Sequence, residues 1–139
     1  MSFKEKSTWI IGLTTAGAYV VYVALVLGST DDTLLTEVAY MFPLLWTISA
    51  MVVVAIVAHI VAAVASPKDA DKEDQRDQEI DRLGEYKGQW FVTVGAVTAL
   101  GMAALELDHF WIANVIYLAL VLSTLLAAAT KIVAYRRGF

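Results

Sequence analysis

The sequence predicts an all-α polytopic membrane protein: four transmembrane helices arranged as two hairpins, with both termini on the cytoplasmic side. Three observations predict this. First, 59% of the 139 residues are hydrophobic and the mean hydropathy is +0.65, well above the 45–50% apolar share usual for a soluble domain. Second, the apolar residues come in blocks of about 17–26, the length that crosses roughly 30 Å of hydrocarbon at 1.5 Å per residue. Third, one long stretch, residues 66–89, could not sit in oil: it holds eight acids and five bases. Four blocks and this stretch occupy nearly the whole chain, which leaves little for a soluble catalytic domain. The chain has no cysteine, which excludes disulfides, thiolate metal sites and cysteine nucleophiles.

The first span covers residues 9–27. Trp9 opens it at the height of an interfacial aromatic. Gly12, Ala16 and Gly17 are small enough to admit a neighbouring helix. Gly28 suits a left-handed C-cap. The block is too long for a signal peptide and lacks a small-residue cleavage site, so it is expected to be retained. An acidic loop follows, in which Asp31 or Asp32 can cap the next helix.

The second span covers 41–65. Pro43 falls in its first turn, or in a kink if the helix begins at Thr33. Ala55, Ala58, Ala62 and Ala65 form a stripe for helix packing. Ser66-Pro67 ends the span.

In the charged stretch a short amphipathic helix is expected from near Asp74. Ile80, Leu83 and Tyr86 or Lys87 share one of its faces, at or rising into the membrane surface. Gly84 and Gly88 weaken that helix and predict a bend. Asp77, Asp81 and Glu85 repel one another at i,i+4, and Arg76 and Arg82 offset part of this.

The third span covers 90–105, with Trp90 at its edge and Gly95, Ala96, Ala99 and Ala103 as a small-residue face. Glu106, Asp108 and His109 lie at a tight turn. The fourth span covers 110–134, with Trp111 as an interface anchor at its start.

Every lysine and arginine falls outside the two outer turns: Lys4 and Lys6 before the first span, the five bases of 66–89, and Lys131, Arg136 and Arg137 at the end of the fourth. The positive-inside rule then assigns both termini and the charged stretch to the cytoplasm. The expected location is an inner or plasma membrane. Each half opens with a tryptophan and closes alike, His59-Ile60-Val61-Ala62 and Lys131-Ile132-Val133-Ala134. Such a match fits a parallel repeat or the low diversity of apolar helices. In a true repeat His59 and Lys131 are equivalent.

His59 is the ionisable side chain deepest in a span, and such groups are costly and often functional. It is either a proton or ligand site, with Lys131 as a companion donor, or a neutral imidazole bonded to a neighbouring helix. One haem held by both histidines is excluded, because His59 and His109 differ in depth by roughly 15–20 Å. The acids around Glu106 and Asp108 show no calcium-loop pattern, and no metal or other cofactor is expected. Spans free of carboxylates argue against an ion-coupled exporter. The chain shows no paired aspartates and no serine–histidine motif, so an enzyme is not expected. It also lacks phosphate loops and nucleic-acid patches.

Asp74-Gln75-Arg76-Asp77-Gln78-Glu79-Ile80 reads D-x-R-D-x-x-I just before a hairpin, and Tyr135-Arg136-Arg137-Gly138 closes the chain. In this it resembles uncharacterised families of small bacterial and archaeal four-helix inner-membrane proteins with such a motif before the third helix. The resemblance implies a four-helix membrane fold and no assigned activity. Asp74, Arg76 and Asp77 would fix the helix entering the membrane or dock a cytoplasmic partner. The leading expectation is a non-enzymatic membrane protein, in contact with lipid, that assembles with itself or with another membrane protein. The alternatives are a small oligomeric transporter or channel, and a protein that binds a lipid or quinone between its helices.

Overall fold

A computed structural model describes residues 3–28, 40–65 and 75–138. It is all-helical, with four helices: α1 (Phe3–Gly28), α2 (Met41–Ala65), α3 (Gln75–Ala104) and α4 (His109–Arg137). Three of them, α1, α2 and α4, are long and apolar enough to cross a membrane. α3 is long, but its apolar part runs only over 90–104, about 22 Å at 1.5 Å per residue. It is the shortest of the four apolar stretches that the sequence predicts as crossings.

α2 matches the expected 41–65 span. It starts at Met41, so Pro43 stands in the first turn, where its missing N–H breaks no helical bond. α1 begins six residues before Trp9, and Gly28 is its last helical residue. Among the described glycines only Gly138 is left-handed, with φ 89°. Its N–H bonds the Ala134 carbonyl at 3.1 Å and closes α4. The expected caps at Asp31 and Asp32, the break at Ser66-Pro67 and the helix start at Asp74 lie outside the described residues.

Residues 75–89 differ from the expectation of a short, bent amphipathic helix. They are the first half of α3, which continues through Gly84 and Gly88 to Ala104. Both glycines are buried. A Cβ on Gly84 would meet Lys131 Cε at 2.6 Å, and one on Gly88 would meet the Ser123 carbonyl oxygen at 2.7 Å. A Cβ on Gly95 would collide with that of Ala119. With Ala99 these residues form one face, spaced 4-7-4, that lets α3 lie almost backbone to backbone on α4. The intrinsic weakness of glycine in a helix, about 1 kcal/mol each, is outweighed by this contact. Ile80, fully buried, extends the same face into the charged half. Of the residues expected to share its face, Leu83 is half-buried, and Tyr86 and Lys87 are exposed.

α1 packs against both α2 and α4, and α3 packs against α4. The core lies where α1, α2 and α4 meet: Tyr22, Val26, Phe110, Tyr117 and Val121, with Tyr19, Tyr40, Leu44 and Ile48 against them. The hairpin turn between α3 and α4 is tight. Glu106 is left-handed (φ 56°), Glu106 N–H bonds the Ala103 carbonyl at 3.1 Å and Leu107 N–H bonds Met102 at 3.0 Å. This pair of bonds is a Schellman stop. Asp108 then caps α4 by accepting from Phe110 N–H at 3.0 Å.

Candidate functional site

The start of α1, the end of α2, the charged half of α3 and the end of α4 all meet at one end of the bundle. There Lys4 Nζ lies 3.7 Å from Asp81. Lys131 Nζ lies 3.5 Å from Asp81 and 2.8 Å from Glu85. Arg136 Nε donates to Glu5 at 3.0 Å. These pairs tie α1, α3 and α4 together in one polar layer. The layer exists because α3 stays helical through its charged half, which carries Asp81 and Glu85 one turn apart beside Gly84. The absence of a side chain at Gly84 makes room for the Lys131 stem.

His59 lies at the same end, on the half-buried face of α2. Its Nδ1–H donates to the Ala55 carbonyl at 2.7 Å, and its Nε2 shares a hydrogen bond with the Ser7 hydroxyl. Both ring nitrogens are therefore used. A serine–histidine contact thus forms across 52 positions of sequence, which the sequence reading did not foresee. Ser7 precedes the span as read, and nothing in local spacing links it to His59. The pair fastens α2 to α1.

Beside Lys131 and Glu85, among α1, α3 and α4, lies a cavity of about 110 Å³, lined by Thr8, Ile11, Glu85, Ser123, Thr124 and Lys131, among others. Thr8 donates to the Lys4 carbonyl at 2.9 Å and Thr124 to that of Leu120 at 3.0 Å. Their oxygens remain able to accept from a small polar guest.

His59 and Lys131 thus lie in one layer but point to different partners, Ser7 and the α3 acids. Arg76 is exposed and Asp77 half-buried at the start of α3, while Asp74 lies outside the described residues. Trp9 and Trp90 are partly exposed toward the charged end. Trp111 is partly exposed at the opposite end, its ring perpendicular to that of Phe110 at 5.1 Å. No group of three or more metal-ligating side chains occurs among the described residues.

A second polar cluster escaped the sequence reading in part. Tyr22, Tyr117 and Tyr19 pack ring on ring, with centroids 4.9–6.2 Å apart. Tyr22 donates to Asn114 Oδ1 at 2.6 Å, and Asn114 Nδ2 donates to the Phe110 carbonyl at 2.7 Å. Thr47 and Tyr117 share a hydrogen bond of 3.3 Å. Asn114 and Thr47 are mild polar residues within the apolar blocks, a type that bonds between helices or back to the i−4 carbonyl. The three tyrosines were not singled out, although tyrosines in mid-span rather than at an interface were the available signal. Comparison of the chain with protein-family models, curated proteins and solved structures finds no match to any of them.

Proposed function

We propose that this chain is a small, non-enzymatic membrane protein that acts by assembling with itself or with another membrane protein. In this reading α1, α2 and α4 cross the bilayer of an inner or plasma membrane and α3 makes a fourth, shorter crossing. The polar layer of Lys4, Asp81, Lys131 and Arg136 lies on the cytoplasmic side. The observation that carries the reading is the division of labour among side chains. The polar groups at span depth, His59, Tyr22, Asn114, Thr47 and Tyr117, already bond one another or the backbone. What the fold leaves uncovered is apolar: Val53, Ile56, Ile60 and Val64 on α2, and Val94, Val97 and Leu100 on α3 are each more than half exposed. Polar satisfaction inside and small or apolar residues outside suit association between helices.

A second reading, a lipid or quinone head group held at Lys131, draws support from the polar cavity beside Glu85, Thr8 and Ser123. One measurement addresses both. Native mass spectrometry of the full chain released from lipid nanodiscs is expected to show a discrete oligomer. A monomer at every protein-to-lipid ratio overturns the assembly reading. A bound lipid or quinone mass that disappears in Lys131→Met establishes the second.

A further inference from the structure

The α3–α4 hairpin carries a trough along one side. Its α4 wall is Ile112, Ile116, Leu120, Thr124, Ala127 and Lys131, which step 4-4-4-3-4 along one ridge. On α3 the wall is Glu85, Val92, Ala96 and Ala103, all within about 40° of one another at 100° per residue. The trough changes character along its length. Toward the turn at Asp108 it is a groove of about 400 Å³ with no polar side chain in its lining. Toward the charged end Thr8 and Ile11 of α1 close over it, and it becomes the cavity of about 110 Å³ beside Lys131. Leu120 of the groove and Thr124 of the cavity are one turn apart, so the two adjoin.

The cavity offers both donors and acceptors. Lys131 has a side chain only 15% exposed, and two of its three N–H groups are spent on Asp81 and Glu85. Ser123 Oγ lies 3.1 Å from where a Cβ on Gly88 would stand, and its hydroxyl has no hydrogen bond among the described residues. Thr8 and Thr124 donate to backbone carbonyls and so present lone pairs. The charges are already balanced: Lys4 and Lys131 stand against Asp81 and Glu85. A phosphate would bring an uncompensated anion beside Glu85. A quinone carbonyl would use the donors and leave the acceptors idle. A head with hydroxyls uses both.

We infer that the trough holds one uncharged glycerolipid, its hydroxyl-bearing head in the cavity and one acyl tail in the groove. This rests on the reading that a head group sits at Lys131, and it names which one. The groove fits such a tail in length and width. From Val92 to Ala103 it runs about 17 Å, close to half of the roughly 30 Å of hydrocarbon, which is the share of one leaflet. Two packed helices leave between their ridges the width of a single chain.

The full chain is reconstituted in nanodiscs doped in turn with monoolein, with a lysophosphatidylglycerol and with a quinone on a ten-carbon tail, then released for native mass spectrometry. One monoolein per chain is expected to survive release, and the other two probes are retained at least fivefold less. Lys131→Met and Ser123→Ala should each cut monoolein retention at least threefold. Ala96→Phe, which fills the groove, should cut it at least tenfold. Val97→Phe, at a site 65% exposed and outside the groove, should change nothing. Monoolein held equally by Ser123→Ala, Ala96→Phe and Val97→Phe is surface lipid and overturns the site. If the lysolipid or the quinone is retained as well as monoolein or better, and is lost in Lys131→Met, the glycerolipid is overturned and the head-group reading stands. If no probe depends on Lys131, both fall.

Discussion

The two hairpins are built from similar material and packed to different standards. α3 and α4 interlock: three glycines of α3 stand at the heights of Lys131, Ser123 and Ala119, with no room for a Cβ at any of them. α1 and α2 lie more loosely. Gly17 of α1 faces open space, and a cavity of about 230 Å³ lies among Leu13, Gly17, Val21, Trp46, Ala50 and Val54. Thr47 is the one described residue of α2 that is fully buried. The alanine stripe of α2 is real, with Ala55, Ala58 and Ala62 half-buried, but a stripe of small residues does not by itself close an interface. Close approach needs a missing side chain on one helix at the height of a small side chain or bare backbone on the other. Both hairpins share one device: a polar residue near the end of the returning helix grips the start of its partner. His59 takes Ser7, and Lys131 takes Asp81 and Glu85.

The largest effect should come from breaking the tight hairpin where it is tightest. Gly95→Val is expected to destabilise the protein by about 3 kcal/mol or more, at the upper end of overpacking costs, because its first carbon lands on Ala119. Gly17→Val, into the open groove, should change stability by less than about 0.5 kcal/mol. Steric-trap unfolding in bicelles measures both. Equal losses would mean that the two hairpins are equally close-packed and would end the comparison. Gly95→Ala together with Ala119→Gly should recover most of the loss, since it moves one methyl across the same contact.

A smaller effect belongs to the seam between the hairpins. Tyr22 is 1% exposed and its hydroxyl is the bond from α1 to Asn114 of α4. Tyr22→Phe keeps the ring in its cluster with Tyr19 and Tyr117 and removes only that bond. The loss expected is about 1–2 kcal/mol, since Asn114 Oδ1 is left without that donor. Tyr22→Phe combined with Asn114→Leu should lose less than the sum of the two single changes, the mark of a direct contact. A full sum would place the hairpins' union elsewhere.

The apolar blocks were legible because crossing length and composition are local properties: α2 has the expected bounds, and α4 runs from His109 to Arg137 around the expected 110–134. The meeting of Lys4, Lys131 and Arg136 at one end was legible for the same reason. The continuity of α3 was not. Gly84 and Gly88 are weak helix residues in isolation, and only the presence of Lys131, Ala127 and Ser123 opposite them turns weakness into fit. Pairings such as Ser7 with His59 and Tyr22 with Asn114 join residues 52 and 92 positions apart. They depend on how helices dock, which no local spacing encodes.

The smallest effect concerns what stiffens the α3–α4 hairpin at its turn. Glu106 takes the left-handed conformation at the C′ position of a Schellman stop, a place where glycine is free of the Cβ penalty. Asp108 caps the returning helix two residues later, so the turn fixes the register that sets Gly95 against Ala119. Glu106→Gly removes a local strain of about 1 kcal/mol but gives the unfolded chain more freedom to lose. The net change expected is a stabilisation of no more than about 0.5–1 kcal/mol, seen as a slightly higher melting temperature in the same bicelles. A clear loss instead would mean that the Glu106 side chain itself holds the outer end of the hairpin. The tightness of α3 on α4 would then owe as much to its turn as to its glycines, and the contrast with α1–α2 would be one of connection as well as of packing.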